Sequence, residues 1–417
     1  MIKASIINIG DEILIGQIND INSSFISKKL NEINISVYSI VTIGDDENII
    51  IETLDYFFKI VDIAIIGGGL GPTSDDRTKI ALCKYFNKNL TLNEKVLEHV
   101  KEFLLRRGLN NLNERNIKQA ELPENCELIP NNNGTAWGMI FEKNNKVCIS
   151  LPGVPHELKP MVENYVIPWL NDKYKITSNI KHHTFLTTGV PESIMADILK
   201  DFENRLPQYI KLAYLPSPAI LRLRLSSNCE TIEEITNFEI FKNELFNIIK
   251  DFCFGENEDT IEQVVGNMLK KVNATISIAE SCTGGYIQHL ITSISGSSEY
   301  YKGGIIAYSN EIKTKLLNVD NEILNSKGAV SEEVVKEMAY NVKKIFNTDY
   351  SIATSGIAGP TGGTDEKPVG TTWIAVSGKK ITKTKMFKFG DDRINNIRRA
   401  SIAALEMLIK LILLENC

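Results

Sequence analysis

A chain of 417 residues is long for a single hydrophobic core, which predicts two or three domains. With 24% charged and 43% hydrophobic residues it reads as an ordinary globular protein, and a net charge of −6 gives no basic footprint for nucleic acid. Seven scattered cysteines without a C-x-x-C pair predict a reducing compartment and argue against a thiolate zinc site.

The opening MIKASIINIGDEILIG has too short an apolar stretch for a secretory signal. From there to residue 172, short β-branched runs (4–10, 35–44, 62–68) alternate with amphipathic ones (22–33, 48–60, 77–86). That alternation predicts an α/β domain with a doubly wound, mostly parallel sheet, whose ligands sit at the carboxyl ends of the strands. Residues 173–254 change rhythm to strand, helix, two strands, helix, a small α+β module of KH type. It carries no G-x-x-G loop, so RNA reading is not expected, and Arg222 and Arg224 in LRLRL read as the solvated face of an edge strand. GENEDT at 255–260 reads as a polar hinge, and 255–417 returns to α/β, with strands at 274–279, 303–309, 349–356 and 371–378 and a last helix at 395–414. The apolar tail ALEMLIKLILL is broken by Glu406 and Lys410 and is too short for a bilayer. The expected location is the cytoplasm.

Two constellations carry chemistry. In IIGGGLGPTSDDRT (65–78), Gly68, Gly69 and Gly71 permit close approach of a ligand, Thr73 and Ser74 offer donors for phosphate, and Asp75 and Asp76 stand at a helix entrance. Asp11 and Glu12 follow the first strand, and NNNGTAWG (131–138, with Asn133, Gly134 and Thr135) and LPGVPHE (151–157) are further loops at strand ends. Lining one crevice, the carboxylates Asp11, Glu12, Asp75 and Asp76 suit a divalent cation (Mg, Mn or Co) that neutralises a pyrophosphate; capping of the helix is the plainer reading of the aspartates.

In AESCTGGYIQHL (279–290), Ser281 and Thr283 meet Gly284 and Gly285 where a strand yields to a helix. A serine nucleophile needs a base, and His289, the only histidine after residue 260, lies on the helix beyond the loop. Lys313 in AYSNEIK serves if desolvation keeps its amine neutral. Thr354, Ser355, Gly356 and Gly359 in IATSGIAGPTGG lie at another strand end, with Thr354 the candidate proton relay. Cys282 is the rival nucleophile, but an extended loop turns it away from Ser281. Tyr308 and Trp373 read first as core, with stacking on a substrate ring as the alternative.

The run G-D-E-I-L-x-G, G-G-L-G-P-T-x-D-D, N-x-x-G-T-A-x-G and L-P-G-V-P, followed in order by AESCTGG, YSNEIK, SGIAGP and KPVGT, resembles the competence/damage-inducible protein CinA family along the whole chain. The resemblance implies a molybdopterin-binding-like front domain that hydrolyses the pyrophosphate of ADP-ribose with a divalent metal. It also implies a C-terminal amidase that converts nicotinamide mononucleotide to nicotinate mononucleotide and ammonia. In that chemistry Ser281 attacks the carboxamide and Lys313 accepts its proton. The substrate phosphate falls to helix N-termini at 283–286 and 356–363, or to Arg393 and Arg398; GDDR departs from the family's G-D-R, which leaves the arginine open. The expected partners are these two nucleotides and a second copy of the chain in a homodimer, without nucleic acid or membrane. The alternatives are an amidase with a front domain that only binds, and a non-enzymatic competence or damage-response protein, against which the acidic charge and the retained Ser281, Lys313 and Thr354 both count.

Overall fold

The computed structural model describes residues 2–73, 76–109, 112–175, 180–229 and 231–416. They form two compact units, Met1–Ile180 and Lys181–Cys417. Among the described residues no helix is long and apolar enough to cross a membrane.

The first unit runs β1 (Lys3–Ile9), α1 (Asp11–Leu14), α2 (Asn22–Glu32), β2 (Ser36–Ile43), α3 (Glu47–Phe58), β3 (Ile63–Gly67), α4 (Thr78–Phe86), β4 (Leu90–Leu92), α5 (Glu94–Arg106), α6 (Glu114–Gln119), β5 (Glu121–Pro123), β6 (Glu127–Ile129), β7 (Gly138–Lys143), β8 (Lys146–Leu151), α7 (Pro155–Met161) and α8 (Ile167–Tyr174). Its main sheet has the order β2-β1-β3-β8-β7-β6, parallel through β8 and antiparallel at β7 and β6. β3 is buried along its whole length because helices cover both faces, which is why it reads as a continuous apolar run. In β1, Ile7 and Ile9 enter one core with Leu54 and Leu82, while Ala4 and Ile6 enter the other with Leu30 and Leu158. β7 and β8, absent from the sequence reading, form a hairpin on Asn144 and Asn145, both at positive φ (51° and 62°) as a two-residue primed turn requires.

The second unit begins with β9 (Ile180–Thr188), α9 (Glu192–Asn204), β10 (Ile210–Ser217), β11 (Ile220–Asn228), α10 (Ile232–Ile249) and β12 (Cys253–Glu256), with sheet order β10-β11-β9-β12. Leu221, Leu223 and Leu225 of β11 point inward and Arg222 and Arg224 outward, as the alternation predicts, but β11 lies between β10 and β9 and is not the edge strand expected. The predicted hinge at 255–260 is in part this fourth strand: Gly255 and Glu256 pair with β9, and Thr260 then caps the next helix in a capping box with Gln263.

The remainder is α11 (Ile261–Lys271), β13 (Ile276–Glu280), α12 (Tyr286–Thr292), β14 (Tyr301–Ile306), α13 (Asn310–Leu317), α14 (Asn321–Lys327), α15 (Glu332–Phe346), β15 (Tyr350–Gly356), β16 (Thr371–Ser377), β17 (Thr382–Lys388) and α16 (Arg393–Asn416). The sheet order is β14-β13-β15-β16-β17; β14, β13 and β15 are parallel, and β16 and β17 antiparallel. The expected architecture therefore holds: two α/β sheets with an α+β module between them in the chain. In each α/β sheet the strand order reverses at one strand, β1 between β2 and β3 and β13 between β14 and β15. The carboxyl ends of those strands are where such sheets open a crevice.

Candidate functional site

Ser281 follows β13 directly and is only 7% exposed. Its amide donates to the Thr354 carbonyl at the end of β15 (3.0 Å), which fixes the loop against the neighbouring strand. Lys313 lies one turn into α13, a helix started by Ser309, whose hydroxyl accepts from the Ile312 amide. Its amine is buried, 3.0 Å from Ser281 Oγ, and donates to the carbonyls of Ala307 (2.8 Å) and Tyr308 (3.4 Å). No carboxylate pairs with it, and burial holds its pKa below the ordinary lysine value. The amine donates to two carbonyls and to the Ser281 hydroxyl, and on losing a proton it can keep the carbonyls and turn its lone pair to that hydroxyl. Thr354 is buried on the other side, with its hydroxyl 2.7 Å from that of Thr283.

The surrounding loop differs from the sequence expectation in one respect. Glu280, 0% exposed, turns its carboxylate onto the first turn of α12 and accepts from the amides of Gly285 (3.0 Å), Ile287 (3.2 Å) and Gln288 (2.9 Å). Of the amides expected to hold a substrate phosphate at 283–286, that of Gly285 is thereby taken and those of Gly284 and Tyr286 bond back to the carbonyls of Ser281 and Thr283, which leaves the Thr283 amide. The second expected helix N-terminus does not exist, because 356–363 runs on as loop toward β16. Sequence reasoning missed Glu280, although an acid one residue before the serine at a strand end was the available signal. Gly284 and Gly285 adopt φ of 60° and 98° to make the turn.

Arg393 opens α16 and donates to the Gly359 carbonyl (2.7 Å) and to the Tyr308 hydroxyl (3.1 Å), which places it beside the Lys313 pocket. Arg398 stands exposed on the same helix and is not brought to these groups. Tyr308 is not core: it is 61% exposed at the rim, whereas Trp373 packs partly buried against the core around α15. The Ser355 hydroxyl turns away to the Ala329 carbonyl (2.6 Å). Cys282 is buried, and that burial pushes its thiol up to about 12, so it is an inert neighbour.

The first unit opens a crevice of about 500 Å3 at the carboxyl end of β1. Gly68 and Gly69 have positive φ, and a Cβ on either would collide with Ile9 O (2.2 Å) or Thr78 Oγ1 (2.1 Å). Asp76 is not free at the helix entrance, since Arg77 takes the N-cap of α4. Instead the Asp76 carboxylate closes its own loop, accepting from the amides of Gly71 (2.8 Å) and Thr73 (2.9 Å) and from the Thr73 hydroxyl (2.5 Å). Ser74 and Asp75 lie outside the described residues. Asp11 and Glu12 are exposed on α1, and the Asp11 amide donates to Asp45 (3.3 Å). Asn133 is exposed and braces the loop through the His156 carbonyl (2.9 Å), while Thr135 faces the crevice. Gly134 leaves room for Glu157, whose carboxylate a Cβ there would meet at 2.1 Å; the Gly134 carbonyl also accepts from His99 (3.0 Å). Glu157, Asp20, Asp45 and His99 were not among the predicted residues, although Glu157 ends the LPGVPHE loop that was singled out.

Glu12, Asp20, Asp45, Asp76 and Glu157 line this crevice, and the described lining residues include no Lys, Arg or His. Among the described residues no three His, Cys, Asp or Glu side chains converge as a ligand set. Hard oxygen donors in small number fit a Mg-type cation, which keeps waters and shares substrate phosphates rather than filling a protein cage.

Comparison with known proteins matches both α/β domains. Residues 5–172 match the family described as "Probable molybdopterin binding domain" and residues 258–412 the "CinA C-terminal domain". A "CinA-like protein" of Flavobacterium psychrophilum is 46% identical over 415 residues, 99% of each chain. A "Putative competence-damage inducible protein" of Clostridium botulinum is 40% identical over 400 residues, 95% of this chain and 96% of that one. Among solved structures, a competence/damage inducible protein from Agrobacterium tumefaciens is 34% identical, with 36% of this chain and 93% of that chain covered at a TM-score of 0.36. A likeness that runs at 46% identity through both domains and the module between them leaves one assignment: the chain belongs to the CinA-like family.

Proposed function

We propose that the chain is a two-site hydrolase whose C-terminal site deamidates nicotinamide mononucleotide by acyl transfer. The observation that carries this reading is the buried, carboxylate-free Lys313 amine 3.0 Å from the Ser281 hydroxyl. Lys313 takes the proton as Ser281 Oγ bonds to the carboxamide carbon. The loop amide of Thr283 has no backbone partner among the described residues and is the donor left for the oxyanion. The tetrahedral centre expels ammonia, which receives the Lys313 proton, with the paired hydroxyls of Thr283 and Thr354 as the local relay. Water, deprotonated by the same amine, cleaves the nicotinoyl ester and restores Ser281. With the α12 amides occupied, the substrate phosphate falls to Arg393, which keeps free N–H groups beyond its two bonds.

In the same proposal the N-terminal crevice hydrolyses the pyrophosphate of ADP-ribose with a divalent cation. Its support is electrostatic: five carboxylates and no basic side chain repel a diphosphate unless a cation accompanies it. Glu12 and Asp45 would offer that cation oxygen ligands, and its charge would neutralise the diphosphate when bound. The chain's own part is to cradle the diphosphate on Gly68–Gly71, whose loop Asp76 holds closed. One observation favours a front domain that only binds: the Asp76 carboxylate is already satisfied by its loop. Purified protein incubated with nicotinamide mononucleotide, and separately with ADP-ribose with and without Mg, Mn or Co, decides by product identification. Absence of nicotinate mononucleotide overturns the first half, and absence of metal-dependent AMP release the second.

A further inference from the structure

A cavity that neither hydrolytic site uses lies within the second unit, between the α+β module and the last strand and helix. It holds about 580 Å3, within the range of small-molecule sites, and such sites favour module interfaces. Two regular stripes build it. Lys385, Phe387 and Phe389 share one face by the two-residue period at β17 and its continuation, and Arg399, Ala403, Glu406 and Lys410 share one face of α16 by the helical period.

The charges in this cleft are not balanced. Glu406 is paired with Lys410 (2.6 Å) and receives the Thr188 hydroxyl (3.3 Å), so it serves to join the two modules. Arg399 and Lys385 pair with no carboxylate, and Lys385 lies instead over the Phe387 ring, 4.9 Å from its centroid. In a chain of net charge −6, a cleft with four cationic and two acidic side chains is a local positive field. The Phe387 and Phe389 rings stack at 5.4 Å and 6°, and with Phe252 and Leu221 they form an apolar wall beside the cations. A ligand complementary to this lining is anionic at one end and flat and apolar at the other. A guanidinium matches phosphate with a two-pronged fork, and a planar base covers aromatic surface.

We propose that this cleft is a nucleotide-binding site separate from both hydrolytic sites, with Arg399 and Lys385 holding the phosphate and the Phe387–Phe389 wall the base. The probe is adenosine 5′-monophosphate, titrated calorimetrically into the full chain, with inorganic phosphate as the second ligand. Arg399→Glu combined with Lys385→Glu is expected to weaken one AMP-binding event at least about tenfold, and Arg399→Lys to keep most of it. Should the double variant fold poorly, acetylation of Lys385 in the wild type is read by mass spectrometry, where saturating AMP is expected to protect it. Unchanged AMP affinity in a folded double variant, unprotected Lys385, or phosphate binding as tightly as AMP would each overturn the proposal.

Discussion

Ser281 and Asp76 each sit on a glycine-containing loop after a strand, Ser281 after the strand where the sheet order reverses and Asp76 after the neighbour of such a strand, yet their surroundings are opposite. Around Ser281 the polar groups are few and buried: an amine without a counter-ion, two paired threonine hydroxyls and the Thr283 amide. Around Asp76 there are several carboxylates and no cation, and the aspartate itself is spent on its own loop. A buried lysine without a partner costs folding free energy and repays it only in chemistry. A carboxylate that accepts three loop donors stabilises the fold, and its site awaits a charge brought from outside. One site is complete in its side chains; the other is half of a site whose other half is a cation and a diphosphate.

The largest expected effect separates the two sites outright. Ser281→Ala should lower amide hydrolysis by about 10³-fold or more, as loss of a nucleophile does, and leave ADP-ribose cleavage unchanged. A chelator should do the reverse. Cys282→Ala should stay within a few-fold of wild type in a product assay, because its thiol is buried and inert; an inactive Cys282→Ala with an active Ser281→Ala would move the nucleophile by one residue.

Lys313 sharpens the comparison through pH. Burial lowers its pKa, so the amide-hydrolysis rate should climb as pH rises through a value below that of free lysine, and Lys313→Arg should be inactive because guanidinium keeps its proton. The same shift fixes the sign for stability. The unfolded chain binds the proton more tightly than the folded one, so this residue's destabilising contribution is full below the folded pKa and fades as pH rises to the unfolded value. Lys313→Met should therefore abolish turnover while raising the melting temperature at neutral pH, by about 2–4 °C for each kcal/mol regained. A lower melting temperature in that variant would mean that the hydrogen bonds of the amine to the Ala307 and Tyr308 carbonyls outweigh the cost of burying it.

Asp76→Ala should reduce ADP-ribose cleavage by about 100-fold, the scale of a misplaced binding loop, with amide hydrolysis unaffected. If the carboxylate acts as a clasp, the metal concentration for half-maximal rate in the residual activity stays at the wild-type value. A large shift of that concentration would make Asp76 a metal ligand.

Much of this was legible in the sequence, for identifiable reasons. The runs that became β1, β3, β13 and β15 are buried on both faces and so are rich in β-branched and small apolar residues, and Ser281, Lys313 and Thr354 follow from glycine loops and helix starts at their ends. β17 was missed because TKTKMFK is a lysine-rich edge strand whose alternation is half solvated. The β7–β8 hairpin was missed although the Asn144–Asn145 pair marked its turn. Tyr308 was misjudged because an aromatic after an apolar run looks like core until the strand is seen to end at Ile306. Pairings between distant segments, such as Gly134 with Glu157 and His99, leave no local pattern at all.

The smallest effect concerns the residue that the sequence gave least reason to notice. Glu280 joins the nucleophile loop to α12 by three backbone donors, and a carboxylate at a helix start also opposes the positive end of the macrodipole. A glutamine there can accept at one oxygen only, and its NH2 group faces an amide donor. Glu280→Gln should therefore cost about 1–3 kcal/mol of stability, the range for hydrogen bonds to a charged group. It should also loosen Ser281, which is the next residue, lowering kcat about tenfold with little change in KM, since the substrate phosphate does not use the α12 amides. The contrast with a phosphate site is sharp. If the α12 amides do bind the phosphate when substrate is present, removing the competing charge should lower KM instead. Steady-state kinetics on the variant, with melting measured alongside, distinguishes the two: a lower KM with kcat preserved would return the phosphate to this helix and take it from Arg393.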